Sequence, residues 1–159
     1  MTTHHDAARA MTAECLCFRA RRVSRAITRM YDEALRPLGL QATQLTLLNA
    51  VAMTAGRGTM ARLADVLAMD QTTLSRNLRP LERAGLVEVA RLPADRRVRV
   101  ARLTPRGERT VADALPLWSA AHARVVAALG AEGAADLRDR FDAASSAAAA
   151  VEAASRDDR

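Results

Sequence analysis

Two kinds of side chain in this sequence could do chemistry. One is a pair of thiols, Cys15 and Cys17, in the segment CLCF; the other is a large set of guanidinium groups, 24 Arg with no Lys. On a continuous helix, side chains two apart point about 200° from each other, so the two thiols could not bond without unwinding it. A metal site needs three or four ligands, and the nearby candidates are His4 and His5 alone, at an end expected to fray. Two small apolar fillers, or a thiol that answers an oxidant, remain open. Arginine's planar, permanently charged fork suits phosphate oxygens and guanine edges.

No enzyme can be assembled from these residues. The third histidine, His122, stands alone beside Trp118 in a helical pattern, which suits a packing surface or an effector pocket. There is no Gly-rich phosphate loop, no HExxH and no nucleophile elbow in the sequence. No cofactor is implied.

The charges are unevenly placed. Residues 1–56 hold 7 Arg against 4 acids, residues 57–109 hold 12 against 6, and residues 110–159 hold 5 against 8, within a net charge of +6 and a pI near 11.0. A basic central third between less basic or acidic flanks is the electrostatic outline of a nucleic-acid binder. The start, MTTHHDAARAM, lacks an apolar core, and no run approaches the roughly 20 apolar residues of a membrane span, so a soluble cytoplasmic protein is expected.

The elements that must position the arginines follow from periodicity. Apolar residues at 16, 20, 23, 27, 30, 34 and 38 predict one long amphipathic helix over 8–36, ended by Pro37 and Gly39. Thr43 is the expected N-cap of a second helix stopping at Gly56. A short helix, MARLADVL, follows, with Leu63, Val66 and Leu67 facing inward. Asp70 then caps QTTLSRNLRPLERA, which Gly85 terminates.

On that last helix Leu74, Leu78 and Leu81 share one side, and Thr72, Arg76, Arg79 and Arg83 share the other. Pro80 lies in its interior, where proline removes a hydrogen bond and costs roughly 3 kcal/mol; a bend toward the end of the helix is one reading and unexploited strain the other. LVEVAR and RVRVARL alternate with period two around LPADR and predict a β-hairpin with a basic tip. Thr104 and Pro105 open a helix to about Leu129, with a kink expected at Pro116, and an Ala-rich helix over about 132–154 closes the chain.

Short helix, turn, helix with a polar basic face, then a basic hairpin: this order is that of a winged helix-turn-helix, whose second helix fits the major groove. The hairpin would reach the neighbouring minor groove, where negative potential attracts arginine. The stretch LADVLAMDQTTLSRNLRPLERAGLVEVARLPADRRVRVARLTPRG resembles the DNA-binding lobe of the multiple-antibiotic-resistance regulator (MarR) family, including the DRR wing and the closing LTPRG. RPLGLQATQLTLL and the two last helices match that family in order and length, so the resemblance covers roughly 12–150.

That resemblance implies a mainly α fold: a winged helix-turn-helix lobe over 41–104, an N-terminal dimerisation helix over 1–40 and C-terminal dimerisation helices over 105–159. It implies a homodimer on double-stranded DNA, repressing a pseudo-palindromic operator until a small-molecule or oxidant signal releases it. The alternative is a non-specific or architectural DNA-binding protein without effector control. Gln71, Thr72, Thr73, Ser75 and Arg76 are expected to face the major groove, with Arg76 on guanine and Arg79 and Arg83 on phosphates. Arg97 matches the wing arginine that enters the minor groove and Asp95 the acid that orients it, with Arg96 and Arg99 completing the basic wing. Finally, LCF followed by SR and then Y resembles the organic-hydroperoxide-responsive branch of the family, in which Cys17 would be the oxidised thiol and Tyr31 its supporting tyrosine. The other two supporting positions hold Arg21 and Ala42 here. Cys17 and Tyr31 lie roughly 21 Å apart along one helix and could meet only across a partner helix.

Overall fold

The computed structural model describes residues 3–54 and 58–157, and the chain divides into two compact units, Met1–Trp118 and Ser119–Arg159. The first unit opens with α1 (His4–Glu14), set by a capping box in which Thr3 Oγ1 accepts the Asp6 N–H and Asp6 Oδ2 accepts the Thr3 N–H, both at 3.2 Å. His4 and His5 therefore sit in a capped first turn, not at a frayed end. The single helix expected over 8–36 is two helices. The backbone leaves helical geometry at Cys15 (φ −67°, ψ 110°), and Cys15 Sγ accepts the Phe18 N–H at 3.4 Å as the N-cap of α2 (Leu16–Leu35). Cys15 and Cys17 thus do not share a helix, and both are exposed within the chain, so neither is a buried filler there.

The apolar stripe of α2 serves the core only in its second half. Leu16 and Val23 are exposed, Ile27, Met30, Tyr31 and Ala34 are half-buried, and Leu35 is fully buried. A 3-10 turn (Arg36–Leu38) and Gly39, at φ +62°, then reverse the chain. Helix α3 (Ala42–Met53) is capped two residues earlier than expected, with Gln41 and not Thr43 as N-cap. The free Gln41 N–H donates to Gln44 Oε1 at 2.9 Å and the Ala42 N–H to Asp32 Oδ1 at 2.7 Å, so α2 supplies part of the cap. The expected stop at Gly56 lies outside the described residues.

Strand β1 (Gly58–Thr59) leads into α4 (Met60–Val66), which buries Met60, Leu63 and Ala64. Val66, expected inside, points outward and is 62% exposed, and Leu67 is only partly buried. The tight turn after α4 puts Ala68 at φ +50°. Helix α5 (Gln71–Arg83) and strands β2 (Val87–Arg91) and β3 (Arg99–Leu103) follow as the sequence predicts, and β1 adds to β3 to give an antiparallel sheet in the order β1-β3-β2. Leu35, Leu48, Leu63, Leu74, Leu78, Leu81, Val87 and Ala101 form one continuous core under helices and sheet. Helix α6 (Pro105–Leu129) begins at the Thr104 cap and continues through Pro116.

The second unit holds the last turns of α6, Gly130 at φ +76° and α7 (Ala131–Asp157). Phe141 and Val151 of α7 are exposed, 43% and 69%. Among the described residues no helix is long and apolar enough to cross a membrane.

Candidate nucleic-acid interface

Helix α5 is fastened at both ends, which fixes what its polar face presents. At the start Asp70 Oδ1 accepts the Thr73 N–H at 2.8 Å and Oδ2 the Thr73 hydroxyl at 2.6 Å. Those two bonds, the hydroxyl first, hold the Asp70 carboxyl below the ordinary carboxylate range. The cap therefore commits the Thr73 hydroxyl to Asp70 and leaves Gln71, Thr72 and Arg76 as the exposed side chains of the first turns, with Ser75 half-buried. At the end the Gly85 N–H donates to Glu82 O and the Leu86 N–H to Leu81 O, each at 2.9 Å, with Gly85 at φ +68°, a Schellman closure. Between these ends Leu74 and Leu78 are 0% exposed and Leu81 1%, while Arg79, Pro80 and Arg83 lie open to solvent. Pro80 sits inside an uninterrupted helix, and its carbonyl accepts the Ala84 N–H at 3.0 Å.

The wing tip is organised by Asp95. Its Oδ1 accepts the Arg97 N–H at 2.9 Å, its carbonyl accepts the Val98 N–H at 3.0 Å, and the Leu92 N–H donates to Val98 O at 2.9 Å to close the hairpin. Arg97 Nε lies 3.9 Å from the same Oδ1, yet the guanidinium side chain is 96% exposed. Asp95 thus shapes the backbone beneath Arg97 and leaves the arginine free to reach outward. Arg96 and Arg99 are also exposed.

Strand register exposes a residue that sequence reasoning missed. Arg91 of β2 stands directly opposite Arg99 of β3, and both are exposed. Like charges paired across strands destabilise a hairpin, so the pair makes physical sense where an anion lies against it. Three residue pairs further in, Glu88 faces Arg102, an opposite-charge pair. The signal was present in the sequence as the symmetry of VEVAR and RVARL about the tip, but pairing needs the register.

The structure brings the two predicted DNA-reading elements together. Gln71 and Ser75 of α5 and Arg97 and Arg99 of the wing line one open cleft of about 280 Å³, with Thr59, Met60 and Ala61 at the start of α4. Arg79 and Arg83 lie further along α5, beside Glu82, away from this cleft. Arg76 is exposed on the same helix.

The proposed redox pair is not brought together within the chain. Cys17 is exposed near the start of α2, and Tyr31 stacks on Trp118, ring centroids 6.4 Å apart and planes 7° from parallel. Burial pushes the Tyr31 phenol above its ordinary pKa. Trp118 also lines a half-open apolar groove of about 260 Å³ with Leu45, Asn49, Val111, Ala114 and Leu115. Among the described residues no cluster of His, Cys, Asp and Glu could hold a metal.

A short helix, a turn, a basic-faced helix on a leucine core and a basic hairpin define a winged-helix DNA-binding protein. A family profile described as "Winged helix DNA-binding domain" matches residues 40–107. Among solved structures, the transcriptional regulator MosR of M. tuberculosis in complex with DNA is 36% identical, covering 84% of this chain and 98% of its own, with a TM-score of 0.72. A MarR mutant from E. coli complexed with operator DNA is 26% identical over 84% of this chain and 96% of its own, TM-score 0.75. CouR from Rhodococcus jostii bound to p-coumaroyl-CoA is 25% identical over 81% of this chain and 90% of its own, TM-score 0.68. No curated protein matches by sequence. The chain belongs to the MarR family of winged helix-turn-helix transcriptional regulators, which are DNA-binding proteins and not enzymes.

Proposed function

We propose that the protein is a cytoplasmic homodimeric repressor that reads a pseudo-palindromic operator and is released by a small molecule or an oxidant. The observation that carries the DNA-reading part is the cleft where Gln71 and Ser75 of α5 meet Arg97 and Arg99 of the wing, with Arg91 paired across the strands to Arg99. Gln71, Thr72, Ser75 and Arg76 read base edges in the major groove, Arg76 taking guanine. Thr73 supports them through the Asp70 cap. Arg79 and Arg83 hold phosphates, Arg97 enters the minor groove over Asp95, and Arg91, Arg96 and Arg99 add positive charge around it.

Residues 1–40 and 105–159 serve as dimerisation helices around the 41–104 lobe. Support comes from apolar side chains left exposed on these segments: Leu16, Phe18 and Val23 on α2, Leu129 on α6, and Phe141 and Val151 on α7. A two-fold dimer places its half-sites about one helical turn, roughly 10 to 10.5 base pairs, apart.

Two observations support release by a signal. The groove over Leu45, Val111, Leu115 and Trp118 suits an apolar, ring-bearing ligand, with the Asn49 amide on its lining to hydrogen-bond a polar group. Cys17 is exposed, as an oxidisable thiol must be. In the oxidant reading the Tyr31 that supports Cys17 comes from the partner subunit.

Competition binding tests the whole reading. Full-length protein is titrated against the duplex flanking its own gene that carries an inverted repeat, and against random duplex. A preference of about 10³ or more is expected of a specific regulator. Equal affinity for both duplexes would instead establish a non-specific architectural protein. Peroxide treatment of wild type and Cys17→Ser then decides between signals: an unaltered response in the variant ends the sensor reading.

A further inference from the structure

The exit of the recognition helix carries more connections to α6 than chain continuity requires. Three successive carbonyls, those of the C-cap residue of α5 and the two residues that follow it, find their donors at the start of α6. Arg106 Nη1 donates to Ala84 O at 2.8 Å, Thr104 Oγ1 donates to Gly85 O at 2.7 Å, and the Thr104 N–H donates to Leu86 O at 3.1 Å. The Thr104 hydroxyl has a second task, accepting the Gly107 N–H at 3.0 Å as the N-cap of α6. One hydroxyl therefore holds the turn that leaves one helix and caps the start of the other. Gly107 lets them approach this closely, since a Cβ there would stand 2.0 Å from Leu86 O.

The same helix carries the apolar groove. Val111, Ala114, Leu115 and Trp118 follow the clamp within the next turns of α6, and Trp118 stacks on Tyr31 of α2. We propose that Thr104 and Arg106 are positioning residues that lock the exit of the recognition helix to α6, so that the helix reading DNA and the groove around Trp118 move as one body. Neither residue needs to touch a base. The pitch of α5 in the major groove is set by the clamp, and any change at the groove reaches α5 through it. By thermodynamic reciprocity, DNA binding must also be felt at Trp118.

This inference rests on the operator-binding reading above, and its test separates the two. Operator and random-duplex affinities are measured for full-length wild type, Thr104→Val, Thr104→Ser and Arg106→Ala, each across a salt series, with emission of Trp118, the sole tryptophan, recorded alongside. Losing a hydrogen bond of the clamp is expected to weaken operator binding up to about tenfold in Thr104→Val and Arg106→Ala. Binding to random duplex should stay within about twofold, and Thr104→Ser should restore wild-type behaviour because it keeps the hydroxyl. Trp118 emission should respond to operator in wild type and in Thr104→Ser, and respond less in Thr104→Val.

A drop of about one in the salt slope per subunit for Arg106→Ala would make Arg106 a phosphate contact and overturn its part in the clamp. Wild-type operator affinity and an undiminished Trp118 response in Thr104→Val would overturn the clamp itself. If wild type shows no preference for operator, the function reading falls first and the clamp with it. Should Thr104→Val fail to fold by circular dichroism, the exposed Arg106→Ala variant carries the test alone.

Discussion

Replacing Gly107 with alanine should destabilise the protein far more than a small residue in a first helical turn normally could. The added Cβ would lie 2.0 Å from Leu86 O, 3.0 Å from Leu86 C and 3.4 Å from Leu103 Cδ2. Real contacts of that kind begin near 3.0 Å, so either α6 or the Leu86 peptide must shift by about 1 Å. The Thr104 N–H to Leu86 O bond, 3.1 Å long, stretches or breaks with that movement. An orphaned carbonyl costs about 1–3 kcal/mol and overpacking a similar amount, so roughly 2–6 kcal/mol is expected in total. For a chain of this length each kcal/mol shifts Tm by about 2–4 °C, giving a fall of roughly 4–24 °C. Thermal unfolding followed at 222 nm, at one fixed protein concentration because dimerisation moves Tm, measures it.

Gly133→Ala is the internal control. A Cβ on Gly133 meets only Leu129 Cβ, at 3.8 Å, within ordinary contact distance, and the site lies inside α7. There alanine should stabilise by about 0.5–1 kcal/mol through helix propensity. The two substitutions are chemically identical and opposite in predicted sign. A Gly107→Ala variant that melts within about 1 °C of wild type would refute the close-approach argument and weaken the clamp built on it.

Four further outcomes follow from the same geometry. Arg76→Ala should lower operator affinity by about 1–3 kcal/mol per half-site while leaving random-duplex affinity nearly unchanged, read by anisotropy; equal losses on both duplexes would make Arg76 a phosphate contact. Arg91→Ala should weaken binding to operator and random duplex alike and reduce the salt slope, yet raise Tm slightly by relieving the pair with Arg99; unchanged affinity would leave Arg91 outside the interface. Ala68→Gly should raise Tm, since a non-glycine residue at φ +50° costs about 1 kcal/mol, and no gain would show the turn to be unstrained. Pro80→Ala should stabilise α5 but lower operator affinity if proline bends the helix usefully; higher Tm with unchanged affinity would leave the bend without a role.

Patterns confined to one element were legible in the sequence. The leucine face of α5, its Asp70 cap, its Gly85 exit and the alternating wing strands all depend on periods of 3.6 or 2 and on local capping. What the sequence hid depends on a second element. Cys15 breaks a helix that periodicity alone would continue, because its sulfur accepts the Phe18 N–H in place of a backbone bond. Thr43 looked like a cap, but Asp32 of α2 supplies a partner to the Ala42 N–H from ten residues away. Val66 looked like core because its spacing fits; the short α4 has room to bury only Met60, Leu63 and Ala64. Arg91 takes its place in the site from the strand opposite, which no single-strand pattern shows, and the bond from the Thr73 hydroxyl to Asp70 adds a capping role to the groove contact expected of it.

The site's two halves carry opposite electrostatic costs, and the fold explains why both are tolerated. On α5 the exposed arginines are spaced along a helix face, where each is solvated and repulsion is weak. In the wing, by contrast, Arg91 and Arg99 are held opposite one another by five pairs of strand register, and Arg97 is lifted outward over Asp95. Repulsion there cannot relax by rotating a helix. It is held instead by the burial of Val87 and Ala101 in the core on one face of the same strands and by β1 pairing on the far side of β3. In the proposed operator complex a polyanion laid against the wing would remove that repulsion, so part of the binding free energy would be stored in the unbound wing. DNA should therefore raise the stability of the hairpin more than that of α5. Hydrogen exchange with and without operator would show larger added protection at β2 and β3 than at the buried turns of α5, and uniform protection would argue against stored repulsion.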